Sequence, residues 1–452
     1  MAYVPHTAED ISRMLAASGK ASMEDLFASI PPELRLQRPL CMSEARSEAE
    51  ILREMERAAA RNRRIDDRPS FLGAGVYHRF IPAAVDHLSG RGEFFTAYTP
   101  YQPEASQGTL QAVFEYQSMI ARLCGMEISN ASMYDGATAL AEAVLMTYAI
   151  HQKGTRILLS AGIHPEHRQV LETYFRHHPV RLEVVPLGPN GSIDPAALAR
   201  RAAEAGDVFA VAIQSPNFFG VLEDGKAIRS ALDGTAAPPL LIASVDPISL
   251  ALVEPPGAWG ADVAVGDGQS LGNEPYFGGP SFGFFAARMA HVRKVPGRII
   301  GETRDRDGRR GYVLTFQTRE QHIRRERATS NICTNQGLAC LRSAMYLTFL
   351  GEKGFRLVAE RTVRMAHLAW KRLTAVPGVR PVFQGPFFGE FTVAFDRSAQ
   401  EVYRSLGDQG IVGGLALGRY FPQREKEMLI ACTEMTRTED IGRLEEALRG
   451  IL

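Results

Sequence analysis

Asp246 ends the apolar run PLLIASVD (239–246). Open α/β sheets hold their ligands at the carboxyl ends of such strands. A carboxylate there can keep the nitrogen of a cofactor ring protonated, as pyridoxal phosphate (PLP) needs if its ring is to accept electrons, although a turn or capping aspartate has the same spacing. The stretch SMYDGATALAEAV (132–144) sets Gly136 and Thr138 at the start of an amphipathic helix, whose free N–H groups suit a phosphate; a plain capped helix reads the same way. His164 follows RILLSAGI and precedes a proline, placed either to stack on a flat ring or to fill a loop. Asn217, after the proline of VAIQSPNFFG (211–220), stands at another strand end, where it could donate to a ring oxygen or serve the loop.

A PLP enzyme also needs a lysine to bond the cofactor aldehyde. Counting from Asp246 across ADVAVGDGQS (261–270), its place falls on Gln269 or Ser270. The chain has seven lysines, and none lies between Lys226 and Lys294. Lys294 follows a further strand, in no position to substitute simply. The cofactor chemistry therefore reads as disabled in this chain, with no catalytic residue of its own.

Two other stretches carry many reactive side chains. FFTAYTPYQPEASQG (94–108) puts Tyr98, Tyr101 and Glu104 in a proline-broken loop, where the rings either floor a small pocket or pack the loop. Residues 303–336 hold eight arginines, too many to be buried singly without partners, which reads as a solvated or intersubunit face.

These residues need a scaffold. At ~150 residues per domain, 452 residues suggest two or three units. Residues 1–70 read as a helical arm, with Thr7 at an N-cap and a helical charge period over 43–64. Over 71–330, the runs 156–162, 180–187, 208–216, 239–247, 261–267 and 281–288 alternate with helical stretches. Several lack a polar face, as strands covered on both sides do, so the fold class is α/β with a mostly parallel sheet. Residues 331–452 read as a connecting helix, roughly 335–350 and ending at Gly351, followed by a small α+β domain.

Bulk composition narrows the function. With 51 basic and 51 acidic residues and zero net charge, no global field draws the chain to nucleic acid or an anionic membrane. Five scattered cysteines without C-x-x-C spacing read as reduced cytoplasmic thiols, with no metal cluster. The first residues carry acids and no apolar core, so no signal or transit peptide is expected, and no run approaches a membrane span.

TAYTPYQPEASQGTLQAVFEYQ, NASMYDGATALAEA, DGQSLG…FGGPSFGFFA and, most specifically, QTREQHIRRERATSNICTNQ resemble the P-protein of the glycine cleavage system, in its lysine-free alpha chain, from TAEDISRML to ACTEMTRTEDI. The resemblance implies a PLP-dependent transferase of fold type I (aspartate aminotransferase-like), in which a homologous beta chain supplies the Schiff-base lysine and PLP. It implies alpha-beta dimers that pair into a tetramer, glycine as substrate, decarboxylation, and transfer of the aminomethyl group to the lipoyl arm of H-protein. Sites at subunit interfaces are further implied, with Tyr98 and Tyr101 lining the partner's glycine pocket and Thr329 and Asn331 reaching its cofactor phosphate or nearby backbone. Asp246, Gly136, Thr138 and His164 become remnants of a degenerate cofactor site. The alternatives are a non-catalytic scaffold or regulatory subunit, and a self-sufficient PLP enzyme recruiting Lys294 or Lys226.

Overall fold

The structure, a computed structural model, describes residues 5–151 and 154–452 apart from the side chain of Phe277; Lys153 lies outside the described residues. It divides into two compact units, Met1–Arg63 and Arg64–Leu452. In the first, α1 (Ala8–Ala17) and α2 (Glu48–Ala59) both start at capping boxes, Thr7 with Asp10 and Ser47 with Glu50. Each box satisfies donors that a helix start leaves free. Neither helix buries a residue.

The second unit is built on a seven-stranded sheet: β1 (Ile128–Ser129), β2 (Arg156–Ser160), β3 (Arg181–Val185), β4 (Val208–Ser215), β5 (Leu240–Val245), β6 (Val263–Asp267) and β7 (Gly283–Ala287). The spatial order is β1-β7-β6-β5-β4-β2-β3. Strands from β3 to β6 are parallel, while β7 runs antiparallel to both β6 and β1. All six apolar runs read from the sequence are strands of this sheet.

Successive residues of the central strands enter two different cores. Leu241 and Ala243 of β5 pack on one side and Ile242 on the other; Phe284 and Ala286 of β7 oppose Phe285 and Ala287. Side chains alternate across a strand, so a strand covered on both faces buries both alternate sets, and the polar residues it admits here, such as Ser160 and Ser244, are small. At ~1.5–3 kcal/mol per buried large apolar side chain, these strands hold the sheet against its helices. The edge strand β3 is the exception, with Arg181 and Val184 exposed.

Helices α3 (Ala83–Ser89), α4 (Gly92–Phe95) and α5 (Gln107–Cys124) precede the sheet, and α6 (Gly136–His151), α7 (Pro165–Phe175), α8 (Pro195–Ala205) and α9 (Gly225–Asp233) connect its strands. Leu110, Leu198 and Ile228 bring α5, α8 and α9 to one face; Leu140 and Leu171 bring α6 and α7 to the other. A hairpin, β8 (Ile299–Arg304) and β9 (Arg310–Thr315), and the short α10 (Gln321–Arg324) carry the arginine-rich stretch. The connecting helix α11 (Gly337–Leu373) breaks at Gly351, whose φ of 57° is left-handed, a conformation glycine adopts without steric cost.

A four-stranded antiparallel sheet completes the unit: β10 (Val379–Pro381), β11 (Glu390–Phe395), β12 (Leu415–Ala416) and β13 (Glu427–Ala431), in the order β10-β11-β13-β12. With α12 (Ala399–Asp408) and α13 (Thr438–Ile451) it encloses its own core around Phe391, Val393 and Ile430. Among the described residues no helix is long and apolar enough to cross a membrane.

Candidate functional site

The carboxyl ends of β2, β4, β5 and β6 open on a cavity of about 330 Å³. His164 follows β2, Gln214 belongs to β4, Asp246 follows β5, and Asp267 ends β6; Ser270 lies just beyond, and all five line the cavity. The topology thus gathers Asp246, His164 and Ser270 at one place, with the start of α6 at its edge through Asp135 and Ala137.

Gln269 and Ser270 are both buried but do different things. Ser270 lines the cavity, whereas the Gln269 carboxamide is committed to backbone. Its oxygen accepts from Tyr77 N at 2.9 Å, and its nitrogen donates to Tyr77 O at 3.0 Å and Asn273 O at 2.7 Å. The Gln269 side chain thus holds the passing segment 74–80, and neither it nor Ser270 offers an amine to the cavity. Among the described residues no lysine lines the cavity; Lys226 pairs with Glu254 at 2.7 Å on the surface.

The same segment supplies charge. Arg79, buried, donates to Glu434 and Thr362 at 2.8 Å each and approaches Asp246 at 4.0 Å. Burial pushes the Asp246 carboxyl up and Arg79 opposes the shift. Glu390, the first residue of β11, accepts from Ala74 N at 2.7 Å and from the Tyr77 hydroxyl at 2.9 Å. Burial raises its carboxyl from 4.5 to about 7. A carboxyl with a raised folded value favours the native state while protonated and loses that contribution as pH rises through the folded value. Across pH 4.5 to 7, the stability of Glu390→Gln relative to wild type, measured by urea unfolding, should therefore shift in favour of the variant. A difference that stays flat would mean that the burial of the ionised group is fully compensated.

The phosphate position is filled from within. Gly136 N, the first donor of α6, gives its hydrogen to Asp267 Oδ2 at 3.1 Å, and Thr138 N donates to Asp135 Oδ1 at 2.7 Å. Asp267 also accepts from Gln269 N at 2.9 Å and from Ser281. A Cβ at residue 136 would come within 2.8 Å of Asp267 N, so helix and strand end are in contact. Gly136 N and Thr138 N, two of the donors that a phosphate would use, are therefore already spent on Asp267 and Asp135. His164 caps α7 by accepting from Glu166 N at 3.1 Å, which leaves its Nε2–H to donate to Ala74 O at 3.1 Å, and it stacks on His167 at 4.8 Å. Burial lowers its pKa, keeping the ring neutral. The residues present do not fit PLP: no lysine, a carboxylate-lined phosphate position, and a ring-nitrogen partner facing Arg79.

Asn217 is not free to meet a ring. Its side chain donates to Gly191 O at 2.8 Å and Glu223 at 2.9 Å and accepts from Phe219 N and Val221 N, which binds the turn after β4. A fully buried amide in a tight turn satisfies its own loop first.

A second cluster forms elsewhere on the unit. Tyr98 is 84% exposed and Tyr101 51%. Arg298, buried, donates to the Tyr101 hydroxyl at 3.2 Å, lies 5.5 Å from its ring centroid, and donates to Cys333 O, Thr334 and Asn335. The aromatic loop and the end of the arginine-rich stretch are thereby joined. Thr329 is half-buried and Asn331 exposed in that stretch. Of the eight arginines, Arg319 is buried, donating to Gly297 O at 2.8 Å and to Val295 O.

Arg79, Glu390, Asp267 and Arg298 were not singled out from sequence. Glu390 and Arg298 carry one retrospective signal, a lone charge beside apolar runs, GEFTVAF (389–395) and VPGRII (295–300). Arg79, in YHRF, carries none.

Residues 1–448 match the family model described as glycine cleavage system P-protein. The chain is 49% identical to the probable glycine dehydrogenase (decarboxylating) subunit 1 of Moorella thermoacetica, covering all of both sequences. It superimposes with a TM-score of 0.89 and 47% identity, over 100% of both chains, on a crystal structure of glycine decarboxylase (P-protein) of the glycine cleavage system in inhibitor-bound form. A sphingosine-1-phosphate lyase of Burkholderia pseudomallei shares the fold alone, at a TM-score of 0.65, 14% identity and 93% of each chain. The architecture is that of PLP-dependent enzymes of fold type I.

Proposed function

The chain belongs to the glycine cleavage system P-protein family, and from that premise we propose that it is the lysine-free half of a glycine decarboxylase whose reactive lysine and PLP sit on a second, homologous chain. The observation that carries this reading is the pair Gln269 and Ser270, where the sequence count places the lysine: Gln269 spends its side chain on Tyr77, and Ser270, which lines the cavity, has no amine. Decarboxylation of glycine on the partner draws on PLP as an electron sink, and the aminomethyl group passes to the lipoyl arm of H-protein. The two chains form a dimer that pairs into a tetramer.

This chain's part is to complete the partner's pocket. Tyr98 and Tyr101 line the glycine site, Thr329 and Asn331 reach the partner's cofactor phosphate or nearby backbone, and Arg298 sets the direction of Tyr101. Exposed aromatic side chains on a supported loop favour this role, because large amphipathic rings are enriched where surfaces meet.

Co-expression with the lysine-bearing chain tests it. Mass analysis should show both chains together, and glycine–bicarbonate exchange should require both. Exchange by this chain alone overturns the reading; full exchange by the lysine-bearing chain alone reduces this chain to a scaffold. The chain as purified, with no PLP added, should show no absorption near the aldimine band and no borohydride-fixed adduct, since among the described residues no lysine lines its cavity. An adduct would show a recruited lysine.

A further inference from the structure

The cavity at the sheet ends keeps polar groups that the chain itself does not use. Ser244 and Ser270 are 4% and 3% exposed, and both line it. Neither hydroxyl has a hydrogen-bond partner among the described residues. Native interiors hold few such groups, because a buried hydroxyl without a partner costs free energy. Ser244 stands opposite Gln214 in the β5–β4 register, and Ile242, two residues before it, packs in the core on the side of α6 and α7. Side chains alternate along a strand, so Ser244 and Gln214 project toward those same helices. Gln214 Oε1 accepts from His164 N at 2.9 Å, which leaves its amide hydrogens without a partner among the described residues.

Asp246, just beyond β5, adds a free acceptor. Its Oδ1 accepts from Ile248 N at 3.0 Å, while the cation nearest its Oδ2, Arg79 Nη2, stands at 4.0 Å, outside hydrogen-bond range. The charge of the wall decides what fits between these groups. Among the described residues that line it, Arg79 is the one positive charge, and it already lies between Glu434 at 2.8 Å and Asp246. Burial lowers His164 and His167, keeping both neutral. Against Arg79 stand Asp135, Glu166, Asp246, Asp267 and Glu390. A carboxylate or phosphate therefore finds no free counter-charge, whereas a cation finds Asp246. A metal ion is the poorer match, because among the described residues no three His, Cys, Asp or Glu side chains gather as metal ligands do.

We propose that this cavity binds a small organic ammonium ion with a neutral polar end, its N–H groups donating to Asp246 Oδ2 and Ser244 and its other end meeting Gln214 and Ser270. The cavity of about 330 Å³ lies at the low end of the roughly 300–1,000 Å³ usual for small-molecule sites, which suits an amino alcohol or amino amide. Phe218, Pro247 and Phe388 supply apolar wall for its carbon chain. Burial raises the Asp246 carboxyl, a shift that Arg79 only opposes and that a bound cation would reverse.

The test uses the full chain alone, so its failure is separate from any failure of the two-chain reading. Ethanolamine and glycinamide are titrated by calorimetry at constant ionic strength, beside glycine, acetate and tetramethylammonium. Saturable binding of at least one of the first two is expected. Acetate and tetramethylammonium, which has no N–H group, should give none, and glycine, which carries a carboxylate in place of the amide, should bind at least tenfold more weakly. Asp246→Asn should weaken the bound amine at least tenfold, and Ser244→Ala, which removes only the hydroxyl, severalfold. Absence of saturable binding by both amines, equal binding of glycine or tetramethylammonium, or wild-type affinity in either folded variant would overturn the proposal.

Discussion

Arg79→Met should destabilise the unit Arg64–Leu452 by about 3–5 kcal/mol, the usual cost of removing one partner from a buried ion pair. Arg79 donates to Glu434 at 2.8 Å, and both side chains are almost wholly buried. Asp246 lies 4.0 Å away on the other side. Removing the guanidinium leaves Glu434 without its cation inside the protein and loses the bond to Thr362 on α11. The loss is also topological. Segment 74–80 is fastened to the small sheet by Glu390 and Glu434 and to the large sheet by Gln269, so it bridges two separately built layers. Urea unfolding measures the effect, and the double variant Arg79→Met, Glu434→Gln should recover part of it, because the residual carboxylate causes much of the penalty. A single-variant loss under about 1 kcal/mol would show that water reaches and solvates the site.

Tyr98→Ala should lower glycine–bicarbonate exchange of the reconstituted two-chain complex roughly 30-fold, about 2 kcal/mol, the size of an interface hot spot. The stability of the chain by itself should not change. The contrast follows from exposure: at 84% exposed, Tyr98 has almost no apolar area buried in this chain to lose. Any large effect must then arise where another molecule covers it. Tyr101→Phe should act differently, since it removes the hydroxyl that Arg298 donates to while leaving the ring beneath the guanidinium. Its expected mark is a raised KM for glycine with a smaller change in kcat. Unchanged exchange in Tyr98→Ala would remove the aromatic loop from the partner's pocket.

The two predictions bear on the two halves of the molecule's logic. At the sheet ends, groups that could have served a cofactor are turned inward on one another: Asp267 caps α6, Gln269 holds Tyr77, and Arg79 faces Asp246. At the aromatic loop, Tyr98 stands out in solvent and the half-exposed Tyr101 is held by the buried Arg298. A chain selected only to fold would have little use for the second arrangement, since exposed tyrosines add nothing to its own core.

Much of the fold was legible in the residues. Several of the six apolar runs lack a polar alternate face because the sheet is covered on both sides there, a local signature, whereas the edge run 180–187 is partly exposed. The capped start at Thr7 and the break at Gly351 were equally local, since each depends on a hydrogen bond or a dihedral within a few residues. The missing lysine was likewise a plain fact of the sequence. Only the tertiary structure decided what replaced its chemistry. Tyr77 and Gln269 are 192 residues apart and Arg79 and Glu434 are 355 apart, and no local periodicity reports a meeting at that separation. Asn217 shows the reverse error: a polar residue at a strand end looked available, but its turn had already claimed every donor and acceptor that the sequence displayed. Residue type and spacing establish which groups are present. Packing determines which of them remain free to act, because a buried polar group bonds to whatever neighbour folding brings within reach.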